Sequence, residues 1–390
     1  MIYKLPKILF DNYCEVQKKD SLSFFERFAE SKGYINIEFK DANYKCLPYL
    51  ESVLDSKIQA ISLFSGCGGL DIGTQMAGVK VLSSLDFDKD AINTLRHNKF
   101  FSYTKHILGD IRNISASDYS QLLRDNNPEK LILIGGPPCQ PFSKAGYWKT
   151  LKERLGPEDP RNMIGQYLNL IDDLRPDGFI LENVESILHP HNIQAIIDLQ
   201  EVLVQMNYNF IIHKANAVDY GVPQKRKRVF VIASKRPING IPEADTMQTN
   251  NLLNWIGVYD SEKYSTDTDS AEGKYYEQLK HVPMGKNYIS LSAKKGYPDP
   301  QFIAGKRYWT FLLKLHPFMP SWTILSQPGH WEGPFHWKNR RLRVQEIASI
   351  QTFPTDYKIL GSPRIIHKQV GNAVPCIMAK RMIEFLKQCI

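Results

Sequence analysis

No CxxC pair occurs in this chain of 390 residues. Its six cysteines (Cys14, Cys46, Cys67, Cys139, Cys376 and Cys389) stand far apart at irregular spacing. That spacing argues against a structural zinc site and a disulfide framework, so no metal is expected. No apolar run approaches the roughly 20 residues that cross a bilayer. The stretch Met1 to Phe10 lacks the apolar region and small-residue cleavage site of a secretory signal. A cytoplasmic protein with free thiols and no membrane partner is therefore expected. No internal repeat stands out. Acidic residues are scarce in one long stretch: from Lys280 to Arg341, ten Lys and Arg face only Asp299 and Glu332.

Apolar residues make up 43% of the chain, enough for a sizeable core, and the length allows one large domain plus a smaller one. Net charge is +8, which favours a polyanionic partner. Aromatic residues run through the basic stretch: Tyr288, Tyr297, Phe302, Tyr308, Trp309, Phe311, Trp322, Trp331, Phe335 and Trp337. Basic side chains neutralise phosphates and aromatic faces stack on bases. The alternative is a solvated basic surface around a separate aromatic core.

Residues 1–57 read as a charged, helical extension without a motif. From Gln59 strand and helix alternate. Strands are predicted at Ile61 to Phe64, Val79 to Leu85, Leu131 to Ile134, Gly178 to Leu181, Asn209 to His213 and Arg228 to Ala233. Helices are predicted at Gly69 to Ala77, Lys89 to His97, Met163 to Leu174 and Ile193 to Met206. This alternation predicts an α/β fold, a mostly parallel sheet with helices on both faces. It stops near Lys235. A loop-rich, aromatic segment follows, and helical patterns resume at Val344 to Gln351 and Val374 to Lys387.

Three segments carry chemistry. Ile61-Ser-Leu-Phe-Ser-Gly-Cys-Gly-Gly-Leu70 is a strand entering a glycine-rich turn and a helix, where backbone N–H groups meet a ligand closely. Asp86, at the end of the next strand, suits the two hydroxyls of a ribose. The third glycine of a dinucleotide fingerprint would fall at Asp71, whose charge repels a pyrophosphate. A ribose-bearing ligand without phosphates fits better, and S-adenosylmethionine is one. Asp110, near a further strand end, suits an adenine amino group. Leu131-Ile-Leu-Ile-Gly-Gly-Pro-Pro-Cys-Gln-Pro-Phe-Ser143 delivers Cys139 from a buried strand into a stiff loop. Gly178-Phe-Ile-Leu-Glu-Asn-Val184 puts Glu182 at a strand end on the same rim. In Pro223-Gln-Lys-Arg-Lys-Arg-Val229, Arg226 and Arg228 alternate on one side of an incipient strand, and Lys225 and Lys227 on the other. Together they suit methyl transfer to cytosine C5. A thiolate adds at C6, a carboxyl group protonated at N3 neutralises the ring, and an arginine supports O2. The base must leave the duplex stack to be reached.

From about Ile61 to Ile390 the chain resembles the DNA (cytosine-5) methyltransferases, with the motifs in family order. FxGxGG is Phe64 to Gly69, PCQ is Pro138-Cys139-Gln140, and ENV is Glu182 to Val184. QxRxR is Gln224, Arg226 and Arg228. Arg340-Arg-Leu precedes Glu346 and Gln351-Thr-Phe-Pro354, and GN(A/S)V is Gly371 to Val374. The resemblance implies a Rossmann-like S-adenosylmethionine-dependent sheet at 58–235 and an inserted target recognition domain at 236–339, with 340–390 returning to the first. It implies that Cys139 is the nucleophile, Glu182 contacts N3 and the amino group, and Arg228 approaches O2, with Arg226 counted among the catalytic residues as well. Phe64, Gly66, Gly68, Gly69, Asp86, Phe87, Asp110, Ile111 and Ala373 would line the cofactor site. Asn372 would lie between cofactor and target. Residues 141–160 would form a lid, and Gln140, Ser143, Lys144 and Gln224 would meet DNA. Double-stranded DNA is the implied partner of a monomer of prokaryotic restriction–modification type, with a restriction endonuclease acting on the same site without a stable complex. A tRNA cytosine-5 methyltransferase and a non-catalytic DNA-binding relative remain as alternatives. Two departures stand out. Ser62 occupies a place where many relatives carry Asp. Leu342-Arg343 replaces a common Leu-Thr, which leaves Arg343 without a role.

Overall fold

Apolar, β-branched runs that alternate with amphipathic stretches build a seven-stranded sheet. The computed structural model describes residues 55–138, 163–190, 192–245 and 251–390. The predicted extension (apart from its last residues), Cys139, Gln140, Ser143, Lys144 and the predicted lid fall outside the described residues. In chain order the strands are β1 (Asp55–Leu63), β2 (Val79–Asp86), β3 (Lys105–Leu108), β4 (Lys130–Gly135), β5 (Gly178–Val184), β6 (Asn209–Asn216) and β7 (Lys227–Ser234). The helices used below are α1 (Gly69–Met76), α2 (Lys89–His97), α3 (Ser120–Asn126), α4 (Met163–Leu174), α5 (Ile193–Gln205), α6 (Pro363–Asn372) and α7 (Cys376–Cys389).

Across the sheet the order is β3-β2-β1-β4-β5-β7-β6. The pairs from β3 to β5 are parallel, and β7 runs antiparallel to both β5 and β6. The central strands are apolar on both sides because both faces are covered. Ala60, Val81, Ile132 and Ile134 meet Leu70 of α1 and Met378, Ala379 and Met382 of α7. Ile61, Leu63 and Leu133 meet Tyr167 and Leu170 of α4 and Leu199 and Leu203 of α5.

Residues 251–350 form a second compact unit. The division falls at about 250 and 350, against the expected 236 and 339. Residues 236–245 hold to the sheet unit through Arg236 Nη1 to the Ile390 carbonyl (3.0 Å) and Arg381 to Asp245 (3.3 Å). Residues 340–350 hold to the second unit through ion pairs of Arg340 with Asp260 and Glu346, and of Arg343 with Asp269. Regular structure is sparse there. Its core is aromatic: Phe311 lies 5.2 Å from Tyr275, 5.7 Å from Tyr288 and 5.6 Å from Phe302, each edge to face. Most aromatics of the basic stretch therefore fill a core. Tyr308 and Trp309 stay exposed.

Candidate active site

Four parallel strands end on one line. Leu85 of β2 pairs with Leu63 of β1, Leu63 with Gly135 of β4, and Gly135 with Leu181 of β5. The next residue of each strand is Asp86, Phe64, Gly136 or Glu182. The strand order reverses between β1 and β4, so the loops leaving them diverge and open a crevice at their carboxyl ends.

On the β1–β2 side the glycine-rich turn is fixed by its backbone. Ser65 N–H donates to the Leu85 carbonyl (3.0 Å) and Gly68 N–H to the Ser65 carbonyl (2.9 Å). Gly68 holds φ at +88°, a left-handed conformation that glycine adopts readily. A Cβ there would also stand 2.8 Å from Leu95 of α2. Asp86 accepts from Gly66 N–H (2.7 Å) and Asp88 N–H (2.8 Å), which aims its carboxylate along the turn. Burial raises its pKa even so. A cleft of about 270 Å³ opens beside it, lined by Phe64, Asp86, Phe87, Asp110, Ile111 and Pro138 among others. Phe87 is 74% exposed. Arg112 chelates Asp110, with its Nε 3.0 and 3.1 Å from the two carboxylate oxygens, and holds that carboxyl below its usual pKa.

On the β4–β5 side Glu182 forms an ion pair with Arg228 (Nε to Oε1 2.7 Å) in a nearly enclosed place. Burial lowers the Arg228 pKa against the pull of that carboxylate. A Cβ on Gly136 would lie 2.8 Å from Glu182 Oε2, so only glycine leaves the carboxylate its room. Asn183 Nδ2 donates to the Pro137 carbonyl (3.3 Å), joining the end of β5 to the segment that leads into Cys139. Pro138 lines the same cleft as Asp86 and Asp110. Residues 58–388 match the family model of C-5 cytosine-specific DNA methylases.

The chain belongs to this family. It is a cytosine-5 DNA methyltransferase, and S-adenosylmethionine is its methyl donor. The Type II methyltransferase M.SacI of Streptomyces achromogenes is 32% identical over 373 residues, covering 86% of this chain and 94% of that protein. M.NgoPII of Neisseria gonorrhoeae is 28% identical, covering 85% and 96%. Among solved structures, a candidate DNA modification methyltransferase encoded within an E. coli prophage aligns with a TM-score of 0.61 at 22% identity, covering 85% and 99%. The Entamoeba histolytica methyltransferase EhMeth aligns at 0.57 and 17% identity, covering 85% and 98%. At these identities the structures speak for the fold, a Rossmann-like α/β sheet.

The cleft of this methyltransferase fits the donor. Each Asp86 oxygen spends one lone pair on the backbone and keeps another for a hydroxyl. The Phe87 face is free for an adenine ring, and nothing stands within 4 Å of where a Gly66 Cβ would be.

The motifs of the second half of the chain interlock in the interior. Gln224 Nε2 donates to Gln351 Oε1 (3.1 Å), and Gln351 Nε2 donates to the carbonyls of Val370 (2.8 Å) and Ala373 (3.3 Å). Arg226 Nη2 donates to the Gly371 carbonyl (2.8 Å). Gln224, expected at DNA, and Arg226, expected beside the reacting base, are both fully buried. Among the described residues their bonds run to the α6 end, where they position the Gly371–Ala373 turn. Arg228, two residues on, reaches Glu182.

Asp71 is the other surprise. It is turned into the protein beneath the turn, where it accepts from Ser62 Oγ (2.5 Å) and Ser84 Oγ (2.7 Å), and Ser62 Oγ in turn meets Ser65 Oγ of the turn (2.8 Å). It is fully buried, and burial raises its pKa to about 6 in spite of the serines. Ser62, the departure from the family pattern, is its partner. Arg343, left without a role by the sequence, is buried. Its Nε meets Asp269 (2.7 Å), and its Nη1 donates to the carbonyls of Tyr259 and Ser261. A lone arginine among four basic residues carries no sign of this, since its acidic partner lies 74 residues away.

Proposed function

We propose that this methyltransferase acts on a cytosine flipped out of a short, specific duplex site, through a covalent bond between Cys139 and C6. The shared register line carries the reading. It brings the cofactor-cleft residues Phe64 and Asp86 onto one rim with Gly136 and Glu182, and Cys139 follows Gly136 by three positions.

The chain's own residues act as follows. The Cys139 thiolate adds to C6, and the ring electrons move to C5, which becomes nucleophilic. Glu182 donates a proton to N3, so the ring stays neutral as the electrons shift. Arg228 holds Glu182 by its Nε and keeps a terminal nitrogen for O2. Gly136 leaves the carboxyl its room, while Arg226 and Gln224 brace the Gly371–Ala373 turn. The bound cofactor supplies one electrophilic methyl, which C5 takes up. The C5 proton is then lost to water, the electrons return to the C5–C6 bond and expel the thiolate, and N3 gives its proton back to Glu182. Asp86 orients the ribose and Phe87 and Asp110 the adenine. Gln140, Ser143 and Lys144 hold the DNA backbone.

Residues 251–350 serve as the target recognition unit. The relatives M.SacI and M.NgoPII are Type II methyltransferases, which supports a restriction–modification role in which an endonuclease shares the site. The enzyme works as a monomer in the cytoplasm on chromosomal DNA. No helix among the described residues is long and apolar enough to cross a membrane.

Transfer of tritium from labelled S-adenosylmethionine to duplex DNA and to tRNA tests the proposal. Label on DNA is expected. Label on tRNA alone would reject it.

A further inference from the structure

Residues 303–309 present three large apolar side chains to solvent: Ile303 (70% exposed), Tyr308 (79%) and Trp309 (53%). Lys306 and Arg307 stand among them, also exposed. Neither has a carboxylate partner among the described residues. The backbone beneath is held firmly. Tyr288 is buried, and its hydroxyl uses its full hydrogen-bonding capacity on this one loop. It donates to the Arg307 carbonyl (2.9 Å) and accepts from Gly305 N–H (3.0 Å) and Arg307 N–H (3.2 Å). Asn287 Nδ2 donates to the Trp309 carbonyl (2.8 Å). The Arg307 guanidinium lies 5.4 Å above the Phe311 ring, which fixes its direction.

Exposed apolar side chains are ordinary singly, but three within seven residues beside Lys306 and Arg307 form a patch. The loop keeps aromatics and cations outside, on a backbone that a buried hydroxyl has already ordered. Such preorganisation of the backbone removes an entropic cost of binding, and it sharpens discrimination because the loop cannot drift to fit a wrong partner. The cations disfavour a cationic partner. Arginine and lysine match guanine O6 and N7, and apolar faces match a thymine methyl or an opened base step.

We propose that 303–309, clasped by Tyr288, is the element that reads base identity in the duplex, with Arg307 and Trp309 as specificity-determining residues and Tyr288 as a positioning residue. The inference rests on duplex DNA being the substrate. Lys294 and Lys295, exposed on a neighbouring turn outside the clasp, hold phosphates without reading sequence.

The test uses the full chain expressed in a bacterial host that lacks cytosine methylation of its own. Bisulfite sequencing gives the ratio of methylation at the preferred site to that at sites differing by one base pair. Tyr288→Phe, which keeps the ring and removes the hydroxyl, is expected to lower this ratio by about tenfold. Arg307→Ala and Trp309→Ala, at exposed positions, are expected to lower it by about tenfold or more. Arg307→Ala keeps the wild-type melting temperature to within a few degrees, Tyr288→Phe and Trp309→Ala lower it by several degrees through the lost hydrogen bonds and the lost Trp322 contact, and all three keep the affinity for S-adenosylmethionine to within about twofold, which shows that the fold stands. Lys294→Ala with Lys295→Ala is expected to reduce methylation at every site together, leaving the ratio unchanged. Unaltered ratios in the three loop variants overturn the proposal while leaving the methylation reaction standing. A wild type that marks no DNA overturns the substrate reading, and this inference with it.

Discussion

Replacing Gly136 by alanine separates the stability of the site from its chemistry. The new Cβ would stand 2.8 Å from Glu182 Oε2, where 3.4 Å is ordinary contact. The carboxylate must therefore retreat by about 0.6 Å, because its Cβ and Cδ at 3.9 Å are not crowded. The displaced atom is the end of a side chain, so the packing cost is about 1 kcal/mol. Gly136 is not in a left-handed conformation, and loss of glycine freedom in the unfolded chain returns about 0.4–1 kcal/mol. Net stability should change by less than about 1 kcal/mol. Activity should not escape so lightly. Glu182 holds its place by a 2.7 Å bond to Arg228, and a shift approaching 1 Å in a proton-donating group costs roughly 10- to 100-fold in turnover. Urea denaturation, calorimetric titration with S-adenosylmethionine and single-turnover methylation measure the three quantities. The expected result is a slow enzyme that is stable and binds its cofactor normally. Wild-type turnover would refute the reasoning, and so would a stability loss of several kcal/mol that accounts for the slow rate.

Gly69→Ala should behave in the opposite way. Its Cβ would meet the Val374 carbonyl at 2.3 Å, so the backbone must move, and urea melts should show a loss of about 3 kcal/mol; an unchanged midpoint contradicts the packing of the turn against the α6–α7 junction. Asp71→Asn should change how stability depends on pH. The carboxyl titrates near 6 when folded and near 3.9 when free, so its folded form holds the proton more tightly. Wild type should therefore lose stability relative to the variant as pH rises from about 4 to 6, by about 3 kcal/mol in all. A stability difference that stays flat with pH rejects a buried, unneutralised carboxylate. Asp86→Ala removes the acceptor of Gly66 N–H together with that of the ribose, and should weaken S-adenosylmethionine binding by about 100-fold in calorimetry. Undiminished affinity contradicts the placement of the ribose.

Strands β1, β2, β4 and β5 are legible because an apolar run stops at a residue with a job (Phe64, Asp86, Gly136 or Glu182), whereas the edge strand β3 is only four residues long and half-exposed, and the sequence does not mark it. The common register of those four is not legible, since pairing offsets leave no mark in a single strand. The direction of β7 is readable in its connection. Only residues 217–226 join β6 to β7, too few for a parallel crossover of roughly a dozen residues or more. Helix α6 is polar enough to hide its period, yet Ser362 accepts from Ile365 N–H as its cap and Pro363 opens it. The pattern put Arg226 and Arg228 on one side. It could not say that this side is sealed at Arg226 and nearly so at Arg228, because the seal comes from Gly371, 145 residues away. Residues 251–350 resisted for a related reason. Their aromatic core is gathered from loops, and without a period buried Phe311 and exposed Trp309 look alike.

A duplex that carries 5-fluorocytosine at the methylated position provides the most direct measurement. Fluorine at C5 cannot leave as a proton does, so an enzyme that bonds to C6 stays attached once the methyl has moved. The account predicts a one-to-one covalent complex that forms only with S-adenosylmethionine, maps to Cys139, and is lost in Cys139→Ser, which still binds DNA. Tight binding without an adduct, or an adduct on another residue, contradicts it.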